Sequence, residues 1–149
     1  MTPNVRELTP ADFASWLPLW RGYLKFYESS LTEETTQTTW HRLTDPKEPM
    51  FALGAYSENK LAGIVHIIYH RSCWTTGDYC YLQDLFTAED ARGQGVATAL
   101  IEAVYARAKA DGASRVHWLT HETNATAQKL YEKLAARSGF VQYRKILSL

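Results

Sequence analysis

Arg92-Gly93-Gln94-Gly95-Val96-Ala97-Thr98 is the stretch of this chain best suited to hold a ligand. It lies between a run ending near Thr87 that reads as strand and a run opening near Gly95 that reads as helix. A helix N-terminus presents N–H groups without an intrahelical acceptor and the positive end of the macrodipole, which together favour a phosphate. Gly93 and Gly95 let the backbone approach such a group, Ala97 and Thr98 keep bulk away, and Arg92 adds positive charge at the mouth. Taken alone, Gly-x-Gly is also a common turn. The stretch lacks the Gly-Lys-Ser/Thr of a Walker loop and the third glycine of a dinucleotide fingerprint. Downstream, Asn124 and Tyr131 stand seven residues apart, close to two helical turns, and so share one side of a helix. A phenol with a pKa of about 10 keeps its proton at neutral pH and can give it to a departing group. Taken by itself, a tyrosine beside Leu130 and Leu134 better suits a core.

The elements that must position these residues follow from local patterning. "VREL" at 5–8 reads as a first strand, and Thr9-Pro10 opens a short helix that Pro18 should separate from a second, "PLWRGYLKFYES". A threonine-rich third helix is expected around 33–43. "MFALGAYSENKLAGIVHIIYH" reads as two strands around the turn "SENK", and "DYCYLQDLFT" as another strand. In the helix after Gly95, Val96, Leu100, Val104 and Ala108 recur every four residues with Ile101 beside them, and Gly112 suits its C-terminal end. "SRVHWLTHE" is then a strand, "NATAQKLYEKLAARS" a helix and "GFVQYRKIL" a final strand. Hairpins early and helical crossovers late predict an α/β chain of one domain, 1–149. Its mixed, mostly antiparallel sheet should hold six to seven strands, with helices on both faces.

Composition narrows the partners. Sixteen basic and sixteen acidic residues cancel, which argues against nucleic-acid binding by bulk electrostatics. The polar N-terminus lacks an apolar export region, and no run approaches the length of a membrane span, so we expect a cytoplasmic protein. Cys73 and Cys80 are then expected as free thiols, and the scattered histidines show no metal-ligand spacing. Trp16, Trp20, Tyr23 and Tyr27 fall on one helical face, mainly as core.

Arg92 to Ala97 resembles the Arg/Gln-x-x-Gly-x-Gly/Ala signature of the GCN5-related N-acetyltransferase (GNAT) superfamily, whose element order is also similar. "NATAQKLYEKL" resembles that family's Asn-x-x-Ala-x-x-x-Tyr helix through Asn124, Ala127 and Tyr131. The likeness spans essentially the whole chain. Within the family, "WLPLWRGYLKFYE" and "ARSGFVQYRK" look like the small yeast-type histone acetyltransferase branch and its bacterial relatives.

The resemblance implies an acetyl-CoA-dependent N-acetyltransferase acting on a primary amine: a small amine, a polyamine or a protein lysine. Arg92, Gly93, Gln94, Gly95, Val96, Ala97 and Thr98 then cradle the CoA pyrophosphate, and Leu85, Phe86 and Thr87 pair their backbone with the pantetheine arm. That pairing requires a bulged fourth strand splayed from the fifth, with the Leu85 amide near the developing oxyanion. Tyr131 is implied as general acid, and Asn124 either contacts CoA or caps its helix. Gln83 stands where some relatives carry a glutamate, which leaves Asp84, His121 and Glu122 as candidates for the base. The family's first helices wall the acceptor site, so Tyr27 and Glu28 are expected to touch the amine, Tyr27 by cation–π attraction. No metal is implied, and relatives of this branch make a homodimer an expectation. A non-catalytic acyl-CoA-binding or sensing domain is the alternative.

Overall fold

The apolar run from Met50 to His70 folds back on itself at Glu58-Asn59, giving strands Met50–Ser57 and Lys60–His70. Ser57 pairs with Lys60, which leaves a two-residue loop. Glu58 and Asn59 both take positive φ (52° and 65°), the twist that matches two-residue hairpins. We number the strands β1 (Asn4–Glu7), β2 (Met50–Ser57), β3 (Lys60–His70), β4 (Tyr79–Thr87) and β5 (Arg115–His117). They form one sheet in the order β1-β2-β3-β4-β5, antiparallel throughout except for the parallel pair β4–β5. The helices are α1 (Phe13–Phe26), α2 (Glu33–Leu43), α3 (Val96–Ala110) and α4 (Ala125–Leu134).

The computed structural model describes residues 2–148, of which those up to Leu119 form one compact unit and those from Thr120 a second. In the first unit, successive β3 side chains point to opposite faces. His66 meets Trp16 of α1, and Gly63 lies against Val96 and Leu100 of α3. Trp16, Leu19, Trp20, Trp40, Leu43, Ala52 and Ile64 form the core on the α1–α2 side. On the other side Val96, Leu100, Ile101, Val104 and Ala108 are all buried, as their spacing predicts.

Three expectations are corrected. Pro18 does not divide two helices: α1 runs through it, entered by a 3-10 turn at Pro10–Asp12. Burial of Trp16, Leu19 and Trp20 on the sheet outweighs the penalty of a proline inside a helix, about 3 kcal/mol from the lost hydrogen bond and the ring clash together. The sheet has five strands, not six to seven, because β5 is only Arg115–His117 and "GFVQYRKIL" joins no strand. A strand needs a neighbour for its N–H and C=O groups, and alternation alone supplies none. Phe140, Val141, Tyr143 and Leu147 are accordingly 79–93% exposed. In the second unit α4 stops at Leu134 rather than Ser138, with Ala135 already extended (φ −152°, ψ 178°).

Candidate active site

Beyond β4 a 3-10 turn, Glu89–Ala91, leads into the glycine loop. Gly93 and Gly95 take φ of 76° and 79°, in the left-handed region. A Cβ at either would meet nothing within 4 Å, so backbone conformation and not crowding calls for glycine there. Gly95 caps α3, whose first backbone bond runs from Ala99 N–H to the Gly95 carbonyl. The N–H groups of Val96, Ala97 and Thr98 therefore have no acceptor within the helix, which suits an anionic ligand. Arg92 stands over two aromatic rings, 5.9 Å from Phe26 and 5.8 Å from Phe86.

β5 pairs only with Tyr79, Cys80 and Tyr81 of β4. From Leu82 to Thr87, β4 stays bonded to β3 on one side and has no strand on the other among the described residues. Leu85, Phe86 and Thr87 thus border a free edge that an extended ligand could join as a strand would.

The β3–β4 register slips beside this edge. His66 faces Asp84 while Ile67 faces Leu82, so Gln83 is the extra, exposed residue of a bulge. The bulge sets Asp84 opposite His66 on the face that carries α1. Trp16 Nε1–H donates to His66 Nε2 at 3.0 Å, in the core. The imidazole proton therefore sits on Nδ1, 2.9 Å from Asp84 Oδ2. Burial and the neighbouring Asp84 carboxylate, in that order, raise the pKa of Tyr23 far above the usual phenol value, so its hydroxyl keeps its proton. Tyr23 touches Tyr27 edge-on at 5.0 Å and Phe86 at 6.1 Å. The indole N–H of Trp20, buried beside His66, has no acceptor among the described residues.

Of the residues predicted from sequence, Asp84, Phe86, Tyr27 and Arg92 thus gather at the C-terminal end of α1. Glu28 ends that helix in a left-handed turn (φ 53°), exposed. In the second unit Asn124 accepts from Ala127 N–H at 3.3 Å and so caps α4. Tyr131 lies half-buried on the same helical side as Asn124 and Ala127. The carbonyls of His121 and Glu122 accept from Gln128 Nε2 at 3.1 and 2.9 Å. Cys73 is exposed and Cys80 buried, both free, and burial pushes the Cys80 thiol up to about 12, away from nucleophilic use. Sequence reasoning misses His66. Its one signal is a lone polar residue inside the apolar run "LAGIVHIIY", which needs a buried partner.

The sequence profile of the Acetyltransferase (GNAT) family matches residues 14–136. The chain belongs to this family. This acetyltransferase is 33% identical, over 95% of its own length and 89% of the other's, to the D-amino-acid N-acetyltransferase HPA3 of Saccharomyces cerevisiae. It is an enzyme of the GNAT N-acetyltransferase type. Among solved structures it is similar in fold to a probable acetyltransferase (24% identity, TM-score 0.87, covering 97% and 98% of the two chains). It is likewise similar in fold to AAC(6')-Iy in complex with a bisubstrate analog, CoA-S-monomethyl-acetylneamine (16% identity, TM-score 0.82, covering 98% and 99%). Among the described residues of the acetyltransferase, no helix is long and apolar enough to cross a membrane.

Proposed function

We propose that the chain moves the acetyl group of acetyl-CoA to the primary amine of a small acceptor, with amino acids the favoured class, by direct attack in a ternary complex. The observation that carries this reading is the free β4 edge from Leu82 to Thr87, running into a left-handed Gly93–Gly95 loop at the start of α3. An extended arm ending in a pyrophosphate fits both parts: Leu85, Phe86 and Thr87 along the edge, and Arg92, Gly93, Gln94, Gly95, Val96, Ala97 and Thr98 around the phosphates. The thioester supplies the activated acetyl group. The acceptor enters as an ammonium ion and gives one proton to Asp84, directly or through water, before its nitrogen lone pair attacks. Tyr131, by resemblance to the family, protonates the departing thiolate, and the second proton that the attacking nitrogen sheds as the amide forms returns to Tyr131 through water. Asn124 serves as the helix cap. The preference for amino acids is supported by the 33% identity to a protein named a D-amino-acid N-acetyltransferase. The reading takes 1–149 as one catalytic domain of a cytoplasmic, homodimeric enzyme.

A screen of D-amino acids, L-lysine, spermidine and simple amines, followed by release of free thiol, tests it. Turnover of at least one acceptor is expected, and Tyr131→Phe should lower kcat by about a hundredfold with little change in either KM. No thiol release with any acceptor, or a Tyr131→Phe enzyme of full activity, overturns the corresponding part.

A further inference from the structure

Asp84 is a carboxylate with 15% of its side-chain surface open, and no lysine or arginine pairs with it among the described residues. The groups beside it are neutral donors. His66, 2% exposed, donates its Nδ1–H to Asp84 Oδ2, because Nε2 is occupied as acceptor of the fully buried Trp16 indole. The protonated Tyr23 hydroxyl stands near the same carboxylate. A largely buried anion held only by dipoles is costly, and what completes it is a cation. Aromatic faces stand around the same place: Tyr23, with Tyr27 and Phe86 against it at 5.0 and 6.1 Å. Carboxylate and π faces together suit an ammonium group.

We infer that Asp84 is the anchor of the acceptor's ammonium group, and that His66, fixed in one tautomer by Trp16, is the positioning residue that aims it. This rests on the proposed amine acetyltransfer and adds where the amine docks and what orients its anchor. The bulge at Gln83 is what turns Asp84 toward His66, so strand irregularity and acceptor binding are one feature. His66 touches neither substrate. It acts by holding Oδ2, leaving the other face of the carboxylate for the incoming N–H groups.

Kinetics and NMR on the full chain test the inference separately from the proposed activity. The acceptor is whichever of D-alanine, D-phenylalanine, L-lysine and spermidine turns over best. His66→Leu is expected to raise the acceptor KM about tenfold or more while the acetyl-CoA KM moves less than about twofold. His66→Asn, whose amide can still donate to Asp84, should recover most of the loss. In the wild type, nitrogen-15 spectra should show the Nδ1-protonated tautomer of His66, and the same amines added to the CoA-saturated protein should shift its Nδ1 signal. An unmoved acceptor KM in His66→Leu, an Nε2-protonated ring, or no shift on adding any of the amines overturns the inference. If His66→Leu fails to fold, the Asn variant and the wild-type spectra decide. Amine-dependent shifts without thiol release would sink the acetyltransfer reading and leave the ammonium site standing.

Discussion

Asp12 shows how much a single side chain can organise. Its two oxygens accept from Arg6 at 2.8 and 2.9 Å, and Oδ2 also accepts from Thr9 N–H at 2.8 Å, tying β1 to the turn that starts α1. The Arg6 hydrogen bond holds the carboxyl well below the usual carboxylate range, against the opposing effect of burial. Because the folded pKa is depressed, this stabilisation is fully present above the unfolded value, about 4, and is lost as the pH falls below it. Asp12→Asn should therefore cost about 1–3 kcal/mol at pH 7. The gap in Tm between variant and wild type should close as both are taken below about pH 4. A gap that stays constant across that range excludes the ion pair as its source. Such pairs show where sequence stops being sufficient. Thr9 and Pro10 announce the helix start from adjacent positions, whereas Arg6 and the Tyr56 hydroxyl that joins it, 2.8 Å away, need the sheet to be known. His66 is the same case at the candidate site, with partners 18 and 50 residues away.

Elements place the candidate cradle, and their fit is tight at Gly63. A Cβ there would come within 2.5 Å of Val96 Cγ1 and 3.1 Å of Leu100 Cδ1, on the first turns of α3. Gly63→Ala should push the start of α3 off β3, costing about 1–3 kcal/mol and raising the acetyl-CoA KM more than the acceptor KM. Equal effects on both constants would mean that the strain spreads through the sheet instead of staying at the cradle. Gly95→Ala tests the loop by a different route, since no neighbour obstructs the new methyl and only the left-handed backbone resists it, by about 1–2 kcal/mol. A loss of acetyl-CoA affinity is expected, and an unchanged KM there would count against the cradle. The helix and hairpin behind these sites were legible because their signals are local: Val96, Leu100, Val104 and Ala108 at helical spacing, and Glu58-Asn59 between two apolar runs. Pro18 misleads because helix propensity is weighed without knowing that Trp16 and Trp20 pack on the sheet. The bulge at Gln83 is a property of register between two strands, and no single strand encodes it.

At the scale of the whole molecule, the segment after Gly139 combines a strand-like sequence with an exposed surface. Phe140, Val141, Tyr143, Ile146 and Leu147 are 59–93% exposed. The sheet meanwhile ends at β5, whose outer edge has no strand beside it among the described residues. Apolar side chains in water and an open sheet edge both favour association, and identical chains meet most simply through a two-fold axis. The charge balance puts up no barrier, since the net charge is +0. The homodimer proposed above thus has a specific expected seat: residues 139–147 of each copy laid on its partner. Light scattering at about 50 µM should give twice the chain mass of 17.0 kDa. Tyr143→Lys combined with Leu147→Lys should return it to one chain mass, because two charges buried in such a contact cannot be paired there. The same double variant should leave α3 and the glycine loop folded, so acetyl-CoA affinity serves as the control. A wild type that is monomeric at this concentration, or a double variant that stays dimeric, shows that this segment is not the seat of association.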